Sequence, residues 1–226
     1  MLIVFVKGKE VNMATNKLSS SDYLLLLLAL DDKKPIVGAI RLMKMMFLFD
    51  KEIAPVIAKK GAQMDVRPNF IAYDFGPFSK DIYEQIEFFE TLKFIETSQV
   101  GTSDSTEELD DWENIYGEDV FDVELKDGYR KLHIDYKSIC YSLAERGEKY
   151  VDQKIIPELS EEIINLLQEF KRKINSITTQ QLLYYVYSRY ENYTTASKIK
   201  DRVLGTTTIM PDESELVNPN EDDDSN

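Results

Sequence analysis

The sequence predicts a mainly α protein with a small β-hairpin, an α+β fold in which a winged-helix-like core precedes a helical C-terminal part. The first observation is a helical pattern near residues 77–94 that is followed by a hairpin pattern over 120–136. A helix followed by a β-ribbon is typical of a winged helix. The second observation is that apolar residues recur at helical spacing after Cys140, which predicts further helices.

These patterns divide the chain of 226 residues into four parts. The sequence leaves open whether the start is Met1 or Met13. The predicted parts are a flexible N-terminal segment over 1–19, a winged-helix-like core over 20–142 with an acidic loop over 100–118, a helical C-terminal part over 143–205, and a disordered acidic tail over 206–226.

Two helices are predicted at the start of the core. Ser20 or Ser21 is expected to cap a helix over 22–30, because a serine hydroxyl accepts hydrogen bonds from free amides of the first turn. This helix is apolar on all sides, so it is expected to be buried. Pro35 is expected to begin a second helix that runs to about Ile53, since its missing N–H costs nothing at the first helical position.

The second helix carries both basic and apolar residues. Three methionines are expected to fill the core, because the flexible thioether side chain adapts to irregular gaps. They are Met43, Met45 and Met46. Three basic residues share one face of the same helix: Arg41, Lys44 and Lys51.

A turn over residues 73–79 is the strongest candidate for an interaction site. The segment 70–73 is expected to be extended, Gly76 to give the turn its backbone freedom, and Pro77 to begin the third helix. A helix N-terminus offers free amides to an anion, but Asp74 and Asp81 already place negative charge there. A capped turn that joins strand to helix is the simpler alternative. The candidate residues are Tyr73, Asp74, Gly76, Pro77 and Ser79.

Beyond this helix the sequence predicts a hairpin and then helices. Apolar residues alternate over 121–125 and 132–136, and Asp127 and Gly128 between them favour a type I′ turn. The C-terminal predictions are a helix that begins at Tyr141 with the segment 141–147, an amphipathic helix after Pro157, a helix with a capping box of Thr178 and Gln181, and a last helix over 196–204 ended by Gly205.

The charge and cysteine content indicate a cytoplasmic protein. The net charge is −14, and the acidic residues concentrate between Lys93 and Lys126 and after Gly205. A single cysteine excludes an internal disulfide and suits a reducing compartment. The apolar N-terminal run lacks the basic flank of a secretory signal, and no apolar stretch reaches the roughly 20 residues that span a membrane.

No catalytic, cofactor-binding or metal-binding residue is predicted. His133 is the only histidine, and a metal site needs more imidazole or thiolate ligands than one of each. Cys140 lies among apolar residues and is expected to be a buried, inert thiol. The chain has no Walker loop and no glycine-rich dinucleotide motif. A hydrolase that uses scattered carboxylates remains a minor alternative.

Nucleic-acid binding is disfavoured by the third helix, whose charges over 79–93 sum to −2. Affinity for DNA depends mainly on neutralising phosphates. The tyrosines clustered over 184–193 could stack on nucleic-acid bases, but their helical spacing favours packing in the core or at an interface. The alternative is contact with the DNA backbone through basic residues of the hairpin and last helix, namely Lys126, Arg130, Lys131, Lys198, Lys200 and Arg202.

Four segments carry a resemblance to a known family. They are residues 41–48 (RLMKMMFL), 73–79 (YDFGPFS), 141–147 (YSLAERG) and 182–187 (LLYYVY). With them the chain resembles the YwgA-like proteins of prokaryotes and, more distantly, the Panacea or SocA-like antitoxin domain. The segment 141–147 also resembles the strand-to-helix exit of winged-helix regulators. The resemblance implies a helical, winged-helix-like protein without known catalysis.

The sequence therefore leads to one hypothesis and one alternative. The leading hypothesis is a non-enzymatic intracellular regulatory or adaptor protein that binds a protein partner, or a second copy of itself. The alternative is a DNA-binding transcriptional regulator or an antitoxin-like protein.

Overall fold

The computed structural model describes residues 17–64, 67–99 and 139–205, together with two short paired strands, β1 (Phe5–Val6) and β2 (Lys9–Glu10). The described part is mainly helical with a small antiparallel sheet. The α+β prediction is therefore confirmed. The hairpin expected over 120–136, the acidic loop over 100–118 and the tail over 206–226 lie outside the described residues, as do His133, Lys126, Arg130 and Lys131.

The first helix is buried, as predicted. After β3 (Lys17–Leu18), α1 spans Ser20–Ala29, and every residue from Tyr23 to Leu28 is buried. Its cap is Ser19 and not Ser20 or Ser21, because Ser19 alone has an acid three positions on. The Ser19 hydroxyl accepts from the Asp22 amide and the Asp22 carboxylate accepts from the Ser19 amide, which makes a capping box.

The second helix begins later than Pro35. A short strand, β4 (Ile36–Val37), intervenes, and α2 (Ala39–Leu48) starts after Gly38, whose φ is +92°. The β-branched pair at 36–37 gains sheet partners, and this outweighs the tendency of proline to begin a helix. A π turn (Phe49–Ile53) then continues α2 into α3 (Ala54–Lys59), which is followed by β5 (Gln63–Met64), paired in parallel with β3.

The Gly-Pro turn closes a tight hairpin. Its strands are β6 (Ile71–Tyr73) and β7 (Gly76–Phe78), with Tyr73 opposite Gly76. The extended segment and the turn are confirmed, but Pro77 lies in β7 and does not begin the helix. Ser79 caps α4, which spans Lys80–Thr91.

Two strands that the sequence did not reveal form the sheet with β4. They are β8 (Ile95–Gln99) and β9 (Ile139–Leu143), and the antiparallel order is β4-β9-β8. The expected helix start at Tyr141 was wrong, because Tyr141 and Leu143 are buried while their neighbours in β9 are half-buried. That period of two is typical of a strand, and the helix begins only at Glu145.

The C-terminal part is helical, as predicted. Thr178 and Gln181 form the expected capping box. The last helix is shorter than the predicted 196–204. The elements are α5 (Glu145–Tyr150), a π turn (Val151–Ile155), a 3₁₀ turn (Ile156–Glu158), α6 (Glu161–Ser176), α7 (Thr179–Arg189), a 3₁₀ turn (Glu191–Tyr193) and α8 (Lys200–Gly205).

One hydrophobic core joins the elements before and after residue 143. It runs from Leu18 to Val203 and includes the buried stripe of α6 and the three methionines of α2. Helix α7 packs against α2, and α6 packs against α1. In the described ranges no helix is both long enough and apolar enough to cross a membrane.

Candidate interaction face on helix α4

The turn before α4 is built so that only glycine fits at position 76. Gly76 has a φ of +82°, a conformation that side chains with a Cβ rarely adopt. A Cβ at this position would also lie 2.9 Å from Cε2 of Tyr187. The turn therefore packs directly on the ring of a buried α7 residue.

Asp74 ties the turn to the segment before α8. Its carbonyl accepts from the Lys198 amide at 2.9 Å, and its carboxylate accepts from Lys198 Nζ at 2.8 Å. The Ser197 hydroxyl donates to the same carbonyl at 3.3 Å and lies 2.8 Å from the Tyr187 hydroxyl. The bonds of Asp74 to Ser197 and Lys198 join positions more than 100 residues apart in the sequence, so no local pattern predicts them.

The second half of the turn contacts α2. Lys44 Nζ donates to the Pro77 carbonyl at 2.9 Å, and the Ser79 amide contacts Met43 Sδ at 3.4 Å. Lys44 is 2% exposed, and burial lowers its pKa to about 7. Gly76, Pro77 and Ser79 are buried as well. The structure thus brings the five predicted turn residues together, but it directs most of them inward, where they fix the start of α4.

Helix α4 separates an apolar side from an acidic side. Ile82, Ile86 and Phe89 are buried against the core. The exposed residues are Lys80, Asp81, Glu84, Glu87, Phe88 and Thr91. We call this group the Phe88 face, because Phe88 is 58% exposed within it.

The carboxylates of the Phe88 face have both charged and neutral partners. Lys80 pairs with Glu84 at 3.2 Å. Asp81 accepts from the Asn69 amide and Glu87 from the Tyr83 hydroxyl, and both donors are neutral. With one lysine against three carboxylates, the net charge of the face is −2.

Some of the basic residues predicted as DNA contacts form ion pairs within the chain. Lys198 pairs with Asp74 at 2.8 Å, and Lys200 pairs with Glu191 at 3.0 Å. Arg202 is exposed on α8. Because Lys198 and Lys200 already face carboxylates, this part of the chain offers less positive charge to a phosphate backbone than the sequence suggests.

Buried cations donate to the last carbonyls of neighbouring helices, a role that the sequence did not predict. Arg41 of α2 donates to the carbonyls of Ile174 and Ile177 at 2.7 and 2.8 Å, where α6 ends. Lys171 of α6 donates to the carbonyls of Leu28 and Leu30, where α1 ends. Positive charge at a helix C-terminus is favourable. The sequence does contain an indication that Lys171 is buried, because this residue lies within the apolar stripe of α6.

A second polar cluster surrounds the π turn after α2. Glu52 accepts from the hydroxyls of Tyr185 and Tyr190 at 3.0 and 2.7 Å. Asp50 pairs with Lys51 and Arg67. The tyrosines of α7 thus serve packing and internal hydrogen bonds, in agreement with the interpretation of their spacing.

Cys140 and the acidic residues give no sign of a metal centre in the described residues. No group of three or more histidine, cysteine, aspartate or glutamate side chains is placed there to hold an ion. Burial raises the pKa of the half-buried Cys140 thiol, which lowers its reactivity.

Comparison with protein-family models and with curated proteins found no match for this chain.

Proposed function

We propose that the chain is a non-enzymatic regulatory or adaptor protein of the cytoplasm that acts through protein contacts on a winged-helix-like scaffold. The order α1, β4, α2, α4, β8, β9, with β9 between the other two strands, supports the winged-helix interpretation. In that interpretation α4 has the place of the helix that enters the major groove in DNA-binding relatives of the helix-turn-helix.

The acidic exposed side of α4 is the observation that carries the proposal. A helix that approaches DNA gains affinity by neutralising phosphates. Here the exposed carboxylates Asp81, Glu84 and Glu87 outnumber the one lysine of the Phe88 face. The scaffold therefore favours a protein surface over a nucleic-acid surface at this helix.

The resemblance to YwgA-like and SocA-like proteins supports the same class of function. The antitoxin-like form of regulation belongs to the rival interpretation. The rival is a regulator that contacts the DNA backbone through the hairpin and last helix, and the ion pairs of Lys198 and Lys200 count against it.

The test is a titration of the full chain with a pool of labelled duplex DNA at low and at moderate salt, followed by fluorescence anisotropy. We expect no saturable binding at either salt concentration. Tight binding that falls steeply with salt would overturn the proposal. If Arg130→Ala with Lys131→Ala then weakened binding evenly across sequences, the rival would replace it.

A further inference from the structure

The Phe88 face combines an exposed aromatic ring with a net negative charge. Among the exposed large apolar residues of the described ranges, Phe88 is the most exposed at 58%, ahead of Ile71 and Leu204. Aromatic residues with a polar surround are typical anchors of protein interfaces. Glu84 lies one helical turn before the ring on the same side of the helix, and Glu87 directly precedes Phe88 in the chain and is also exposed.

The charge of the face restricts what can cover it. Two copies of the chain that met through this face would place like charges opposite each other, so a symmetric self-contact is unfavourable. An anionic lipid surface or a nucleic acid would be repelled in the same way. The complementary occupant has positive charge at its rim and an apolar group that contacts the ring.

We propose that the Phe88 face binds a basic segment of a protein partner, with an apolar side chain of that segment on Phe88 and its lysines or arginines opposite Glu84 and Glu87. This inference rests on the proposed function and names the chemistry of the partner. In such a contact, a few apolar anchor residues supply most of the affinity and the charged residues add specificity.

The face has a structural reason to be rigid before it binds. Ser79 caps α4, Tyr83 holds Glu87 at 2.7 Å, and Arg146 donates to the Leu92 carbonyl just after the helix. Because both ends of α4 and one of its carboxylates are held, binding orders few additional groups and loses little conformational entropy.

The experiment measures binding of a fluorescein-labelled amphipathic peptide of lysine and leucine to the full chain by anisotropy at low salt. Phe88→Ala is expected to weaken binding by about tenfold or more. Glu84→Gln with Glu87→Gln is expected to weaken it by about fivefold and to reduce its salt dependence.

Matched controls separate this face from the remaining negative charge of the chain. Glu169→Gln with Asp201→Asn makes the same change in net charge on exposed positions of α6 and α8. Leu204→Ala removes an exposed apolar side chain elsewhere. Both controls should leave the affinity unchanged, and all variants should keep the urea midpoint of the parent, because the substituted side chains are exposed.

Equal affinity of Phe88→Ala and the parent would overturn the inference, as would equal losses in the Glu84/Glu87 and Glu169/Asp201 pairs or no peptide binding at low salt. These results would leave the protein-contact function standing if duplex DNA is also not bound. Tight DNA binding, in contrast, would remove the proposed function itself.

Discussion

Arg41, Lys44 and Lys171 show how single buried charges determine this structure. Each is at most 4% exposed, and each donates to backbone carbonyls. A charge without such partners would be costly to bury. These residues therefore act as fixed links between elements and not as solvated charges.

Lys44 makes stability depend on pH in a defined direction. Its pKa falls from 10.5 to about 7 on folding because of burial. Below pH 7 both states bind the proton. Between pH 7 and 10.5 the unfolded state binds more, so the free energy of unfolding rises with pH, by up to about 1.4 kcal/mol per pH unit. We expect Lys44→Met to remove this rise in urea unfolding between pH 7 and 8.

Lys171→Met is the matched control for that measurement. Burial lowers the pKa of Lys171 only to about 8, so Lys171 only begins to titrate in this range, and this variant should lose a smaller part of the rise between pH 7 and 8 than Lys44→Met does. Equal slopes for the parent and Lys44→Met would show that Lys44 does not titrate in this range.

At the scale of residues, the sequence predicted side chains with a local role better than those with a distant one. The acidic character of α4 and the capping box at Thr178 follow from neighbours in the chain. The bond between Asp74 and Lys198 does not, since 124 positions separate them. The burial of Arg41 was missed because a basic residue on a helix face is usually solvated.

At the scale of elements, the errors arose where two local preferences competed. Pro35 and Pro77 both favour a helix start, yet Pro35 directly precedes the short strand β4 and Pro77 lies within the short strand β7. Pairing with another strand decided both cases, and a single sequence does not contain that information. The helices with clear periodicity, such as α4 and α6, were predicted because their own buried faces define them.

The close approach of α5 to Phe94, just before β8, and to Leu143 of β9 makes Gly147 sensitive to substitution. Helix propensity alone predicts that alanine improves a helix by about 1 kcal/mol. A Cβ at Gly147, however, would clash with the Phe94 carbonyl oxygen and lie 2.9 Å from Leu143 Cδ2. We expect Gly147→Ala to destabilise the protein by about 1–3 kcal/mol, measured by urea unfolding.

Gly205 provides the comparison, because a Cβ there meets nothing within 4 Å. Gly205→Ala should change the free energy of unfolding by less than about 0.5 kcal/mol. If Gly147→Ala proved as neutral as Gly205→Ala, the close approach of α5 to the Phe94 backbone would be wrong.

At the scale of the whole molecule, the continuous core predicts one cooperative transition. The buried faces of α6 and α7 pack on α1 and α2, so the parts before and after residue 143 share their stabilisation. In native-state hydrogen exchange, the slowest amides of α1, α2, α6 and α7 should report one common free energy of opening.

A clearly lower opening free energy for α6 and α7 than for α1 would contradict this expectation. It would indicate that the C-terminal helices separate from the remainder before global unfolding.

The reciprocal capping of helices has a consequence for how such a protein evolves. Arg41 completes the end of α6, and Lys171 completes the end of α1. A gene crossover that exchanged one of these helices with a divergent homologue would separate a cation from its carbonyls on another helix. Recombination is therefore expected to preserve α1, α2 and α6 as a set, and shuffling experiments should recover few chimeras that break it.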